Sequence, residues 1–154
     1  FDRNAIEIRV VDIQECPGAD LAIAELIVAT LKALVDGRWV SNYLQRAWHH
    51  NDLLAIFKTV IKDAGTTSIT NREYLQMFGL DRSTATADEL WSHIFTEIGS
   101  DLSADAIKAI THILQHGCLA QRILKRTGTH PEAALITEVY KELAVCLRED
   151  RQLE

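Results

Sequence analysis

The rhythm of apolar and polar positions changes sharply within the first 37 residues. Ile6, Ile8 and Val10 alternate with Glu7, Arg9 and Val11 in a β-branched run, the two-residue period of a strand with one buried face. Cys16-Pro17-Gly18 breaks that pattern. From Asp20, read as an N-cap, a helix is predicted to run to about Val35 and to stop at Asp36-Gly37. Leu21, Ile23, Leu26, Ile27, Val28, Leu31, Leu34 and Val35 cover nearly its whole circumference, so burial on several sides is expected. Glu25, alone on this apolar helix, reads either as a group that reaches the surface or as the partner of a basic residue.

Every later segment repeats at helical spacing. Asp52 is placed to cap a helix with Leu53, Ile56, Phe57, Val60 and Ile61 on one stripe, ending near Gly65. A short helix capped by Asn71 follows, with Tyr74, Leu75 and Phe78 inward. Thr86 and Glu89 form a capping box ahead of Trp91, Ile94, Phe95 and Ile98. Ser103 caps a helix that turns Ile107, Ile110 and Leu114 inward, and residues 119–125 also read as helical. Pro131 suits the first turn of a last helix striped by Ile136, Val139, Tyr140, Leu143 and Leu147. Short loops between such helices favour a bundle of antiparallel neighbours. The expected fold is therefore mainly α, a helical bundle with one N-terminal β-strand, divided into residues 1–37 (strand, loop and buried helix) and 38–154 (bundle).

Composition narrows the function classes. The 154 residues are 47% apolar, enough for a core, and carry a net charge of −6, which argues against nucleic acid or an anionic membrane as partner. The longest apolar run, Leu21 to Val35, is too short for a membrane span and is interrupted by Glu25 and Lys32. Cys16, Cys118 and Cys146 cannot all pair and none lies in a CxxC, which suits a reducing cytoplasm. The chain opens on Phe1-Asp2-Arg3-Asn4 without Met or signal-peptide pattern, so it is expected to be a fragment or processed product.

Chemistry can be sought in few places. Glu7 and Arg9, two apart on a strand, point to one face. They form either a surface ion pair of little worth or a working pair, the acid ligating Mg²⁺ and the guanidinium gripping a phosphate or carboxylate. His112 and His116 have the spacing of a zinc pair on one helix face, but no third ligand is evident, and two solvated or partly packed histidines are the favoured reading. His49-His50 diverge on a helix. Trp39, Trp48 and Trp91 read as packing residues, and Cys118 and Cys146, in apolar stripes, as inert thiols.

The stretch IEIRVVDIQECPGADLAIAELIVATLKALVDG, residues 6–37, resembles the strand–loop–helix of the glutamine synthetase superfamily. It is closer still to the bacterial carboxylate–amine ligases of the glutamate–cysteine ligase type, where Glu-x-Arg-x-x-Asp opens the last third of the chain. HGCLAQRILKRTG (residues 116–128) and EVYKELAVCLRED (residues 138–150) are similar to their C-terminal helices. The resemblance implies that this chain is the C-terminal portion of a larger α+β glutamine synthetase-like fold. It implies Glu7 as a Mg²⁺ ligand beside the phosphates of ATP, and Arg9 as the catalytic group on the transferred phosphoryl or the acid substrate. Asp12 matches a recurring acid and is expected to orient the loop. Asn42 and Arg46, within NYLQRAWHHND, match positions near the pocket, although surface roles are the better reading.

The implied reaction is ATP-dependent joining of an amino-acid carboxylate to an amine through an acyl phosphate. The expected partners are the missing N-terminal part of the protein, amino-acid substrates and further copies of the chain, paired through the strand or an exchanged first helix. The fragment alone is expected to be inactive. Two alternatives stay open: a non-catalytic helical interaction or oligomerisation module, and hydrolysis on a ligase-like scaffold.

Overall fold

The computed structural model describes residues 7, 8 and 10–154. Among them the order is α1 (Pro17–Val35), α2 (Asn42–Arg46), α3 (His50–Asp63), β1 (Ser68–Ile69), α4 (Arg72–Gln76), β2 (Ala85–Thr86), α5 (Ala87–Ile98), α6 (Ala104–His116), α7 (Leu119–Thr127) and α8 (Ala133–Glu149). The mainly α expectation holds. The strands pair antiparallel, Ser68 with Thr86 and Ile69 with Ala85.

The predicted N-terminal strand is corrected as far as its residues are described: Glu7, Ile8, Val10 and Val11 carry no strand structure and are exposed. Ile6 and Arg9 lie outside the described residues. A strand is held by a hydrogen-bonded neighbour, and the one sheet among the described residues is the two-residue pairing of β1 with β2.

Helix α1 begins earlier than expected. Pro17 occupies the first turn, where its missing N–H is no loss, and Cys16 takes the N-cap position. Asp20 instead accepts a hydrogen bond from the Gln14 backbone N–H at 2.9 Å. The exit follows the predicted stop. Gly37, at φ +68°, lets the Gly37 N–H reach the Leu34 carbonyl at 3.1 Å and the Arg38 N–H reach Ala33 at 2.9 Å, a Schellman closure.

One core joins α1 to the later helices. Ala22, Leu26, Ala29 and Ala33 of α1 are buried with Leu90, Ile94 and Ile98 of α5 and with Ala106 and Ile110 of α6. Alanine on both sides of the α1–α6 contact permits close approach of the two backbones. The opposite side of α1 departs from the expectation of burial all round: Leu21, Val28 and Val35 are 71%, 49% and 68% exposed. They recur every seven residues, so they form one ridge, and the face of Ala22, Leu26, Ala29 and Ala33 meets the core.

Glu25 has a defined task. Its carboxylate accepts from the Ser103 backbone N–H at 2.5 Å and from the Ser103 hydroxyl at 2.8 Å, at the N-terminus of α6. Ser103 in turn accepts from the Ala106 N–H at 3.2 Å. Glu25 thus binds α1 to the cap of α6, where a negative charge also complements the helix dipole. Glu25→Ala is expected to lower stability by about 1 kcal/mol, the usual worth of a cap, with Glu25→Gln losing less because it keeps one acceptor. Urea unfolding of the two variants checks this; equal losses would mean that the acceptor is irrelevant.

Candidate functional site

The described residues that lead from Glu7 into α1 are free of regular structure, yet the last of them are firmly held. The Gln14 side chain donates to the Asp12 carbonyl at 2.9 Å while its backbone N–H is taken by Asp20. It is therefore the Asp12 carbonyl that takes part in this turn, the Asp12 residue itself being exposed. The Gly18 N–H donates to the Asp150 carboxylate at 2.8 Å.

Between these contacts lies Glu15, 4% exposed. Arg122 of α7, equally buried, donates through Nη1 to Glu15 Oε1 at 2.5 Å and to the Leu153 carbonyl at 2.7 Å, and through Nε to the Gly117 carbonyl at 3.1 Å. The Leu153 N–H donates to the same Glu15 oxygen at 2.9 Å. Burial pushes the Glu15 carboxyl up; the bonds from Arg122 and Leu153 and the guanidinium charge outweigh it, holding the group below its ordinary value.

Neither Glu15 nor Arg122 stood out in the sequence. A signal was present in α7, where Arg122 lies in the same helical phase as the apolar Leu119 and Ile123, a position that charge occupies only when paired.

Of the residues expected to carry chemistry, Glu7 is exposed near the start of this segment, and Arg9 lies outside the described residues. Asn42 has a structural partner: its amide donates to the Val35 carbonyl at 3.0 Å, satisfying an orphan acceptor at the end of α1. Arg46 is exposed. The rings of His112 and His116 lie 4.5 Å apart between centroids, and His112 Nε2 is 3.1 Å from the Leu153 carbonyl, so His112 belongs to the surroundings of Arg122. His49 takes the N-cap position of α3, which begins at His50, with Asp52 in its first turn.

Trp39, Phe78, Tyr74 and Trp48 form a row with centroid separations of 6.0, 5.4 and 5.9 Å, most of it tilted or edge-on. Gly79 is required there: its φ is +76°, and a Cβ would stand 2.7 Å from the Trp39 ring. The row is packing, as Trp39 and Trp48 were read, whereas Trp91 is exposed. Cys16 and Cys146 are buried, and burial pushes both thiols up, away from the reactive thiolate.

Two clefts open elsewhere, one lined by Arg126, Glu138 and Glu142 and the other by Arg82, Asp88, Glu89, Ser92 and His93. Their arginines are already engaged, Arg126 with Glu142 at 2.6 Å and Arg82 with Glu89 at 3.3 Å. Among the described residues, no three His, Cys, Asp or Glu side chains converge to hold a metal ion. The described residues therefore do not by themselves fit a Mg²⁺ centre; Glu7 would supply a single carboxylate. No helix among them is long and apolar enough to cross a membrane.

Comparison with known proteins agrees with the reading of residues 6–37 and 116–128 and extends it through the middle of the chain. The model of Glutamate-cysteine ligase family 2 matches residues 2–142. No curated protein and no solved structure matches the chain.

Proposed function

The chain belongs to glutamate–cysteine ligase family 2, and from that premise we propose that it is the C-terminal part of an ATP-dependent carboxylate–amine ligase, with Glu7 and Arg9 as its contribution to the active site. The observation that carries this reading is a family match that includes both residues and runs through seven of the eight helices and into α8. In this reading Arg9 binds the anionic acid substrate or the phosphoryl group in transfer, a task suited to a planar, permanently charged guanidinium. Glu7 is a hard oxygen ligand toward Mg²⁺. The other metal ligands, the ATP contacts and the substrate pocket come from protein outside residues 1–154, so this segment is inactive alone. The amine acceptor and the acid are amino acids or close relatives, and the assembled enzyme works in the cytoplasm as a homo-oligomer.

The test is phosphate release from Mg-ATP by the full-length gene product with glutamate and a panel of amines. Glu7→Ala and Arg9→Ala are each expected to lower turnover about a hundredfold, as removal of a group that meets developing charge does, with unchanged far-UV circular dichroism. Full activity in both variants would remove these residues from the site.

One observation favours a second reading, a helical interaction module. Leu21, Val28 and Val35 line one ridge, and Ile8, Val10, Val11 and Ile13 are also exposed, a quantity of apolar surface that marks contact with other protein. Under this reading the Glu7 and Arg9 variants leave assembly and function intact, and no amine supports turnover.

A further inference from the structure

The buried ion pair of Glu15 and Arg122 is poorly designed as a stabiliser. Glu15 Oε2 and Arg122 Nη2 are buried without hydrogen-bond partners, and a partly satisfied buried pair is commonly no better than apolar residues of the same volume. What the pair does accomplish is registration of distant segments. Glu15 and Arg122 are 107 positions apart and Glu15 and Leu153 are 138 apart, so three parts of the chain meet at one carboxylate oxygen.

The C-terminal tail is shaped for this meeting. Asp150 adopts a left-handed conformation at φ 49° that ends α8 and turns the chain back. Gln152 donates to the Ala109 carbonyl of α6 at 3.3 Å, and Leu153 is fully buried. The segment that runs from Glu7 into α1 is thereby held at Glu15 by α7 and by the tail, which is itself bonded to α6.

We infer that Glu15, Arg122 and the Leu153 backbone are a positioning device: they fix where the segment bearing Glu7 enters α1, and so set the placement of that side chain in the active site. The catalytic half of this inference rests on the ligase reading; the anchoring half does not. Neither Glu15 nor Arg122 touches substrate. Their effect belongs on kcat, because misplacement of a reacting group penalises the chemical step more than initial binding.

The experiment uses the full-length protein with both charges removed together, Glu15→Met with Arg122→Leu, which leaves no lone buried charge. A second variant, Leu153→Pro, removes the N–H that Glu15 accepts and keeps the ion pair. Per-residue amide exchange is followed at Gln14 and Gly18, whose N–H groups flank Glu15 and are bonded to the Asp20 and Asp150 carboxylates, against Ile94 and Ile98 in α5. In both variants exchange at Gln14 and Gly18 is expected to rise about tenfold or more while the α5 amides keep their protection, since local opening is separable from global unfolding. Turnover with Mg-ATP and glutamate is expected to lose about tenfold in kcat with KM little changed.

Unchanged exchange at Gln14 and Gly18 in both variants would overturn the anchor. Raised exchange with wild-type kcat would overturn the positioning role. A wild-type protein without any ligase turnover would overturn the reading on which that role rests, while the exchange data would still decide the anchor.

Discussion

Replacing Arg122 alone by Met should destabilise the protein by about 3–5 kcal/mol, the cost of leaving one buried charge without its partner. The loss is large because Arg122 serves three acceptors at once: the Glu15 carboxylate and the carbonyls of Leu153 and Gly117. In the variant Glu15 retains a single donor from another residue, the Leu153 N–H. Burial, which the guanidinium now outweighs, would then dominate and push the Glu15 carboxyl above its ordinary value.

The sign of the pH dependence follows from these directions. In the native protein the Glu15 carboxyl is held low, so its contribution is complete above the ordinary glutamate value of about 4.3 and is lost as pH falls through the folded value. In Arg122→Met the shift is reversed, and acidification neutralises the stranded carboxylate and relieves the fold. The deficit should therefore be greatest near neutral pH and shrink toward about pH 4, approached from both sides. Urea unfolding midpoints at the two pH values, with the slope checked for constancy, measure it. A deficit under about 1 kcal/mol at neutral pH would mean that water or a rearranged side chain replaces Arg122 and that the pair is not sealed from solvent.

That a pair of this consequence escapes the sequence while lesser contacts do not has a physical basis. Asn71, Thr86 with Glu89, and Ser103 bond to groups three positions along the chain, so their partners are visible in a window of four residues. The Asp36-Gly37 stop is equally local, because the Schellman closure depends on the backbone freedom of one glycine. Glu15 and Arg122 meet only after α1, α6, α7 and the tail are in place, and no spacing rule joins them. Strands β1 and β2 are two residues each, too short to show a period.

The correction at Glu7, Ile8, Val10 and Val11 is of a different kind. Their alternation has the strand period, but pairing depends on a neighbour, and among the described residues none is presented. The assignment of Glu7 and Arg9 to a site rests on resemblance alone. Glu7 and Arg9 carry no distinguishing periodicity, and the charge pattern alone equally suits a solvated ion pair. The helical histidines show the reverse: a spacing that could hold zinc instead places His112 beside the Leu153 carbonyl. Glu25 stood out on its helix and its partner proved to be a cap, which neither of the sequence readings named.

Helix α1 and helix α5 supply the second large effect, because similar apolar residues on them have opposite fates. Ile98, fully buried at the end of α5, lies in the core with Leu26, Ile94, Leu102 and Ile110. Ile98→Ala removes three carbons from that close-packed cluster and leaves a void that helices pinned on both sides cannot close, since a 3₁₀ turn at Gly99–Asp101 and the Glu25–Ser103 cap fix the entry to α6. The expected loss is about 2–5 kcal/mol. Leu21→Ala, on the exposed ridge of α1, should cost no more than about 0.5 kcal/mol in the isolated chain, even though composition and helical period rank both residues as core. Thermal or urea unfolding of the two variants separates them. If Leu21→Ala costs as much as Ile98→Ala in the isolated chain, the ridge of Leu21, Val28 and Val35 is covered there by another molecule, and the same variants measured across a range of protein concentrations would show the deficit growing with concentration, as linkage to association demands.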